Sequence, residues 1–214
     1  MLLEEERNAV VEYGKNLVKR CLTRGTGGNI SIFSRERGLM AISPSGMDYF
    51  ETRPEDVVVM DLDGKVVEGI RKPSSEYEMH RIFYRNRKGV RAVVHTHSTY
   101  STVLSCLRWT IPAVHYLVAY AGMDVPCAEY ATFGTREIAD NAFAAMEDRN
   151  AVLLANHGLL AVGPDLPSAF NTAEEIEFCA EIYYRTKCVA QPVLLPDDEM
   201  ERMMEKFKTY GQKK

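Results

Sequence analysis

The chain has 214 residues, 46% hydrophobic and 26% charged, which is ordinary for a globular protein with a sizeable core. Its formal net charge of −4 disfavours broad binding to nucleic acids or acidic membranes, and no apolar stretch is long enough to span a bilayer. The acidic N-terminus does not fit a signal peptide, and the five cysteines are scattered without a Cys-x-x-Cys pair. We therefore expect a cytoplasmic protein, a single domain over residues 1–214, with reduced and mostly buried thiols.

Hydrophobic periodicity and turn residues predict helices interleaved with pairs of strands. The expected elements are a helix over 2–22, a hairpin of strands 30–33 and 38–42, strands within 57–67 about an Asp-Gly turn, a serine-capped helix beginning at 73–76, a strand ending at 95–97, a helix over 99–107, an extended segment at 128–131, a helix from 134 to about 146, a strand over 151–157 continued by 159–163, a helix over 167–189 and a helix from 197 to about 207. This order favours a layered α/β domain on a mixed sheet.

The strongest chemical signal is the pair His95 and His97, which ends an apolar, β-branched run. Side chains alternate along a strand, so residues two apart leave on the same face and place two imidazole donors side by side. His157 ends a second apolar run, and Glu76 opens a predicted helix. Three imidazoles and a carboxylate predict a mononuclear divalent-metal site, with zinc as the first expectation and cobalt or manganese open by ligand type.

The sequence alone leaves several of these assignments open. His80 follows Glu76 by four residues on the same helical face, so it competes for the ligand role, and a histidine packed under the sheet fits equally well. His115 raises the same question. Glu76 is also explained as a first-turn acid that favours the helix dipole. Gly158 strengthens the assignment of His157, because glycine lets the backbone turn sharply beside it.

Three small polar clusters have the composition of an oxyanion site: Gly27-Gly28-Asn29, Ser45-Gly46 and Ser74-Ser75. Glycines let backbone N–H groups approach an anion closely, and the serines precede a helix whose first N–H groups are free. Each cluster alone also reads as an ordinary turn. Together with a metal site they predict a phosphorylated substrate. No Walker-type or dinucleotide-binding fingerprint is present.

The motifs, taken in order, resemble the class II aldolase and adducin family across nearly the whole chain. The matching segments are Gly25-Thr26-Gly27-Gly28-Asn29-Ile30-Ser31, Ser43-Pro44-Ser45-Gly46, Pro73-Ser74-Ser75-Glu76, Val94-His95-Thr96-His97, Ile111-Pro112-Ala113-Val114-His115-Tyr116, Tyr130-Ala131-Thr132-Phe133-Gly134-Thr135-Arg136, Asn156-His157-Gly158-Leu159 and Lys206-Phe207-Lys208-Thr209-Tyr210-Gly211. Within that family the chain is most similar to the enzymes that cleave L-fuculose 1-phosphate.

The resemblance implies a three-layer αβα fold around a central mixed, mostly antiparallel sheet. It implies one zinc ion per subunit held by Glu76, His95, His97 and His157, which leaves His80 and His115 outside the metal shell. It implies a phosphate site at Gly28, Asn29, Ser45, Gly46, Ser74 and Ser75. It also implies a four-fold homotetramer with active sites at subunit interfaces, which Tyr116 enters from a neighbouring chain and Tyr210 helps to close. The catalytic candidates are Glu76, Tyr116, Phe133 and Tyr210.

The implied activity is reversible aldol cleavage of L-fuculose 1-phosphate to dihydroxyacetone phosphate and L-lactaldehyde, with zinc as Lewis acid and Glu76 moving the proton. A lysine Schiff base is disfavoured because the metal and phosphate motifs contain no lysine. The alternatives are a deoxypentulose-1-phosphate aldolase, a methylthioribulose-1-phosphate dehydratase, a pentulose-5-phosphate 4-epimerase, a non-catalytic adducin-like assembly domain, and a structural zinc protein. Glu76 counts against the epimerase, since the epimerases resembled have aspartate there.

Overall fold

An eight-stranded sheet forms the middle layer of the chain in the computed structural model, which describes residues 1–211. Its strand order is β4-β3-β2-β1-β5-β8-β7-β6. Every neighbouring pair is antiparallel except β6 and β7, which are parallel, so the sheet is mixed and mostly antiparallel. The strands are β1 Asn29–Ser34, β2 Leu39–Ile42, β3 Val58–Asp61, β4 Val66–Glu68, β5 Ala92–Thr96, β6 Cys127–Ala128, β7 Ala151–Leu154 and β8 Gly158–Gly163.

Helices cover both faces of this sheet and complete the expected three-layer αβα architecture. They are α1 Glu4–Lys19, α2 Tyr77–Asn86, α3 Thr99–Cys106, α4 Arg136–Met146, α5 Leu166–Val189 and α6 Asp197–Phe207, with short 3₁₀ turns at Pro54–Asp56 and Tyr116–Tyr120. Helices α1, α3, α5 and α6 contribute to one apolar core, and α2 and α4 to the other. The two cores divide alternate residues of the central strands, as the pleat requires.

The register of the central strands decides where the site lies. Ala92 and Val94 face the core of α1 and α5, whereas Val93 faces the core of α2 and α4. By the same alternation, His95 points to the α2 and α4 side. Glu76, which immediately precedes α2, lies on that side as well.

Most expected elements are confirmed, with shifts of a few residues at their ends, but three expectations are wrong. Glu76 itself is the residue that precedes α2, so no serine occupies the N-cap position. Residues 151–163 form an antiparallel hairpin of β7 and β8 instead of one continued strand. The cysteines are not mostly buried: Cys21, Cys106 and Cys188 are exposed, and Cys179 is the one that is fully buried.

Within residues 1–211, no helix combines the length and apolar character that crossing a bilayer requires.

Candidate metal centre

Four side chains from three separate parts of the chain converge at one end of the central strands. Glu76 precedes α2, His95 lies in β5, His97 is one residue beyond that strand, and His157 lies in the turn between β7 and β8. One ligand atom from each of the four lies within 4.8 Å of all the others. The structure therefore brings together the complete set of ligands predicted from the sequence.

The three imidazoles present their Nε2 atoms to each other. His95 Nε2 is 3.0 Å from His97 Nε2 and 3.2 Å from His157 Nε2. His95 Nδ1 lies 2.9 Å from the carbonyl oxygen of Leu159, which can only accept, so Nδ1 carries the hydrogen and Nε2 presents a lone pair. A backbone carbonyl that fixes the tautomer in this way is typical of metal-binding histidines.

Burial keeps these imidazoles neutral at physiological pH. The pKa of His95 lies well below its usual value because the ring is buried, and because His97 and His157 are close. Burial and the nearby His157 lower the pKa of His97 to about 4. Burial also lowers the pKa of His157, although the charge of Glu76 opposes that shift. Neutral imidazole is the form that binds a metal.

The two carboxylate oxygens of Glu76 have different surroundings. Oε2 accepts a hydrogen bond of 2.8 Å from Asn29 Nδ2 and lies 3.4 Å from His95 Nε2. Oε1 lies 3.4 Å from His157 Nε2, and among residues 1–211 it is buried with no hydrogen-bond partner. A buried oxygen without a partner is costly in a folded protein. A divalent cation fits here, because it would satisfy that oxygen and the nitrogen lone pairs that face it.

Two glycines let the backbone approach the histidines. A Cβ on Gly158 would lie 2.1 Å from the carbonyl oxygen of Thr96, so only glycine fits where β8 starts against β5. The sharp turn before it is made by Asn156, at φ 54°, and not by Gly158 as expected. A Cβ on Gly27 would lie 2.7 Å from His97 Nδ1, so this glycine backs the imidazole directly.

The two histidines that the sequence left open both lie outside the cluster. The ring of His80 is fully buried and hydrogen-bonded to Ser31 and Asn29. His115 precedes the 3₁₀ turn Tyr116–Tyr120 and accepts a hydrogen bond from the backbone of Leu117. The sequence reasoning missed that the Asn29 side chain holds Glu76. Asn29 had been assigned to phosphate, and no local spacing indicates the contact.

The small polar clusters at Ser45-Gly46 and Ser74-Ser75 lie side by side near Glu76. Ser45 N–H donates to the carbonyl oxygen of Lys72, and Ser74 N–H donates to the carbonyl oxygen of Ser43, each at 3.0 Å. Ser74 Oγ accepts a hydrogen bond from the backbone N–H of Glu76 at 3.3 Å.

The third cluster, Gly27-Gly28-Asn29, lies next to these two loops. Ser43 exchanges hydrogen bonds with Ile30: its N–H donates to the Ile30 carbonyl, and its Oγ accepts from the Ile30 N–H. Tyr49 Oη donates to the carbonyl oxygens of Gly27 and Gly28. The structure thus brings the three predicted clusters to the same end of the sheet as the histidines.

The aromatic candidates fall into two groups. Phe133 is 66% exposed in the loop before α4, and a Cβ on the adjacent Gly134 would lie 3.2 Å from the carbonyl oxygen of Ser75. Phe133 is therefore close to one predicted phosphate cluster. Tyr116 and Tyr210 are 45% and 78% exposed, and the ring centroid of Phe207 lies 6.2 Å and 6.1 Å from theirs, respectively.

Tyr210 also lines a groove of about 930 Å³ with residues 119–123, 147–150 and 162–164. That groove lies at the far end of the central strands, since Gly163 pairs with Ala92 whereas Leu159 pairs with Thr96. Four residues of strand separate the two ends by about 13 Å. Within one chain, Tyr210 is not brought to the histidine cluster.

Comparison with known proteins finds relatives along nearly the whole chain. The family model described as the class II aldolase and adducin N-terminal domain matches residues 8–184. A 5-deoxy-D-ribulose 1-phosphate aldolase from Bacillus thuringiensis serovar kurstaki is 59% identical over 212 residues, covering 99% of this chain and 100% of the relative. The L-fuculose phosphate aldolase of Escherichia coli strain K12 is 42% identical over 192 residues, covering 89% and 88%. A solved structure named L-fuculose 1-phosphate aldolase has 57% identity and a TM-score of 0.94, covering 95% of this chain and 96% of that one.

Proposed function

The chain belongs to the class II aldolase and adducin family, and we propose that it is a metal-dependent aldolase that cleaves a deoxyketose 1-phosphate to dihydroxyacetone phosphate and a short aldehyde. The observation that carries this proposal is the cluster of Glu76, His95, His97 and His157, with one ligand atom of each within 4.8 Å of the others. Histidine and carboxylate ligands without cysteine are the ligand types of catalytic zinc sites and differ from the closed cysteine-rich sites of structural zinc.

We propose 5-deoxy-D-ribulose 1-phosphate as the first substrate, with acetaldehyde as the second product. The support is the relative of that name, which is 59% identical and matches end to end. L-Fuculose 1-phosphate, which the sequence resemblance favoured, is the second candidate, because a solved structure of that name is 57% identical to this chain. The two substrates share the dihydroxyacetone phosphate half and differ in the aldehyde, which carries an extra hydroxymethylene carbon in L-lactaldehyde.

The shared half of the substrate explains the small polar clusters. We propose that Gly28, Ser45, Gly46, Ser74 and Ser75 bind the phosphate through backbone N–H groups and hydroxyls. Their adjacency, held by the backbone hydrogen bonds of Ser45 and Ser74, supports this role. The side chain of Asn29 donates one amide hydrogen to Glu76, and its oxygen faces His80, so the second hydrogen of Nδ2 is the donor that this residue can offer to phosphate.

The cation would be held by Glu76, His95, His97 and His157, and zinc is our first expectation for it. When bound, such a cation supplies Lewis-acid chemistry: it withdraws electron density from the substrate's ketone and hydroxyl oxygens and so acidifies the neighbouring carbon. The protein holds the three imidazoles neutral by burial and fixes His95 through Leu159, so the donor atoms are preorganised.

Proton transfer falls to Glu76. Oε2 is held by Asn29, whereas Oε1 has no hydrogen-bond partner within residues 1–211, so Oε1 is the atom that would leave the cation when the substrate binds and would then take up and return a proton. The predicted phosphate clusters fix the substrate beside this oxygen, because Ser74 is bonded to the Glu76 backbone. Phe133, in the adjoining loop, would cover the substrate from the solvent side.

Tyr116 and Tyr210 fit the reaction only in an assembly. Tyr210 lies at the opposite end of the sheet from its own Glu76, and Tyr116 packs near the same Phe207. We propose a homotetramer in which these tyrosines reach the active site of a neighbouring chain. Tyr116 would then donate a hydrogen bond to the aldehyde oxygen, and Tyr210 would help to close the site.

A panel of sugar phosphates tests the function directly. Purified protein, with and without a chelator, is incubated with 5-deoxy-D-ribulose 1-phosphate, L-fuculose 1-phosphate, methylthioribulose 1-phosphate and a pentulose 5-phosphate. Products are identified by mass, and epimers of equal mass are distinguished by proton NMR. We expect dihydroxyacetone phosphate and an aldehyde from the first two substrates, abolished by chelation. Loss of water or inversion at C4 would identify a dehydratase or an epimerase, and no reaction despite bound metal would favour an assembly domain.

A further inference from the structure

A chain of buried hydrogen bonds runs from Glu76 into the core between α2 and β1. Asn29 Nδ2 donates to Glu76 Oε2 at 2.8 Å, and Asn29 Oδ1 lies 2.6 Å from His80 Nε2. His80 Nδ1 is 2.7 Å from Ser31 Oγ, which is 2.5 Å from Tyr84 Oη. Every member is at most 6% exposed, so water does not compete for these bonds.

Side chains of α2 and β1 interdigitate because residues four apart on a helix and residues two apart on a strand are similarly spaced. Glu76, His80 and Tyr84 are four residues apart along α2 and therefore share one face of it. Asn29 and Ser31 are two residues apart on β1 and therefore share one face of the sheet. The side chains alternate between helix and strand along this chain of hydrogen bonds.

The directions of the hydrogen bonds between Glu76 and Ser31 follow from the carboxylate of Glu76. A carboxylate can only accept, so the amide group of Asn29 that faces it is the NH₂, and Oδ1 faces His80. His80 must then donate from Nε2, which leaves Nδ1 of the neutral ring as an acceptor for the Ser31 hydroxyl. Burial supports the neutral ring, since it lowers the pKa of His80 to about 3.

We propose that His80 is a positioning residue: its Nε2–H, acting through Asn29, holds Oε2 of Glu76 as an acceptor and leaves Oε1 directed at the histidine cluster. Without the His80 donor, the Asn29 amide is free to rotate and present its oxygen to the carboxylate, which would repel Glu76 from its place. This inference deepens the proposed function and rests on it for the catalytic consequence, but the state of the His80 ring does not depend on it.

A network that merely filled the core would predict something different. Each polar group would then contribute to folding, and the loss of any member would lower stability without a specific effect on turnover. The positioning role instead requires a donor at residue 80 toward Asn29. It therefore predicts that the kcat of a variant at position 80 depends on whether its side chain can donate a hydrogen bond, and not on the size of that side chain.

The test compares His80→Gln with His80→Met. Glutamine keeps one donor and one acceptor at the end of its side chain, whereas methionine is similar in size and cannot donate. We expect kcat of His80→Met to fall about 10- to 100-fold, the usual cost of losing a group that orients a metal ligand, with KM changed far less. His80→Gln should recover most of that loss. Tyr84→Phe, which removes a buried hydroxyl but leaves both partners of His80, is the matched control and should keep kcat.

Nitrogen-15 NMR of the ring supplies a readout independent of turnover, and zinc affinity measured against a competing chelator supplies another. We expect His80 in the Nε2–H tautomer in both metal-free and zinc-loaded protein, and weaker zinc binding in His80→Met than in His80→Gln. An Nδ1–H tautomer, or equal kcat and equal zinc affinity in the two variants, would overturn the inference. If the wild-type protein cleaves no sugar phosphate, the proposed function fails, while the NMR and zinc measurements still decide the role of His80.

Discussion

Replacing Gly27 by alanine should weaken metal binding without unfolding the protein. An ideal Cβ at this position would lie 2.7 Å from His97 Nδ1, 3.0 Å from Thr23 Oγ1 and 3.3 Å from the carbonyl oxygen of Arg24. The closest of these atoms belongs to a side chain, so the imidazole moves before the backbone does. Ordinary van der Waals contact begins near 3.4 Å, so the ring must retreat by about 0.7 Å.

The magnitude follows from the cost of overpacking. Inserting a methyl group into a tight site typically costs about 1–3 kcal/mol. If His97 absorbs the strain, that cost appears in the free energy of metal binding, where about 1.4 kcal/mol is a tenfold change. We therefore expect the zinc dissociation constant of Gly27→Ala to rise about 5- to 150-fold.

The assay is competition between the protein and a chromophoric zinc chelator, together with urea unfolding of the metal-free protein. Gly89→Ala is the matched control, because a Cβ there meets nothing within 4 Å and, like Gly27, Gly89 is not at positive φ. The control should keep wild-type affinity. Unchanged zinc affinity in Gly27→Ala, or a loss confined to the unfolding free energy, would refute the assignment of His97 as a ligand backed by this glycine.

Three further predictions concern catalysis and pH. Glu76→Gln should keep bound zinc but lower kcat about 100-fold or more, measured by steady-state kinetics alongside metal content, and a near-normal rate would exclude Glu76 from proton transfer. A reassembled mixture of the Tyr116→Phe and Glu76→Gln proteins should be more active than the average of the two proteins measured separately, because hybrid sites combine an intact tyrosine with an intact glutamate. An activity equal to that average would contradict a shared site. Metal-free protein should lose stability as pH falls below about 6.5. His80 becomes protonated in the unfolded chain, whereas burial lowers its pKa to about 3 in the folded protein, so the folded ring stays neutral. Between pH 7 and pH 5 the loss in unfolding free energy should be about 2 kcal/mol smaller in His80→Gln, and an unchanged loss in urea titrations would count against a neutral buried ring.

Local signals in the sequence were sufficient for most of the secondary structure and for the pairing of His95 with His97. His95 and His97 obey the alternation of a strand, and the structure directs both rings to one point with Nε2 atoms 3.0 Å apart. The helices were predictable because their apolar stripes are long, as in α5 at Leu166–Val189. The layered class followed from the interleaving of hairpins and helices.

What the sequence did not reveal depends on contacts between distant segments. The bond between Asn29 and Glu76 spans 47 residues and depends on the register of β1 against α2. Only the same packing shows that His80, which competed with Glu76 for the role of metal ligand, bonds to Asn29 and lies outside the histidine cluster. The role of Gly158 was misjudged because the approach of the Thr96 carbonyl is a tertiary contact, not a local turn.

The exposure of residues far from the site was also unpredictable. Cys21 occupies a left-handed position at φ 57° just after α1, and its thiol lies at the surface. Tyr210 lies against Phe207 at the far groove, and only the tertiary structure shows that its own chain does not bring it to Glu76.

Activity before and after metal removal decides whether the cluster of Glu76 and the three histidines works through a bound cation. Protein is stripped with a strong chelator, its residual metal is measured by mass spectrometry, and cleavage of 5-deoxy-D-ribulose 1-phosphate is followed before and after one equivalent of zinc is returned. Activity should fall in proportion to the metal removed and return with it, because the side chains of Glu76, His95, His97 and His157 are close enough together to hold one cation. Full-speed cleavage by protein free of metal would contradict it.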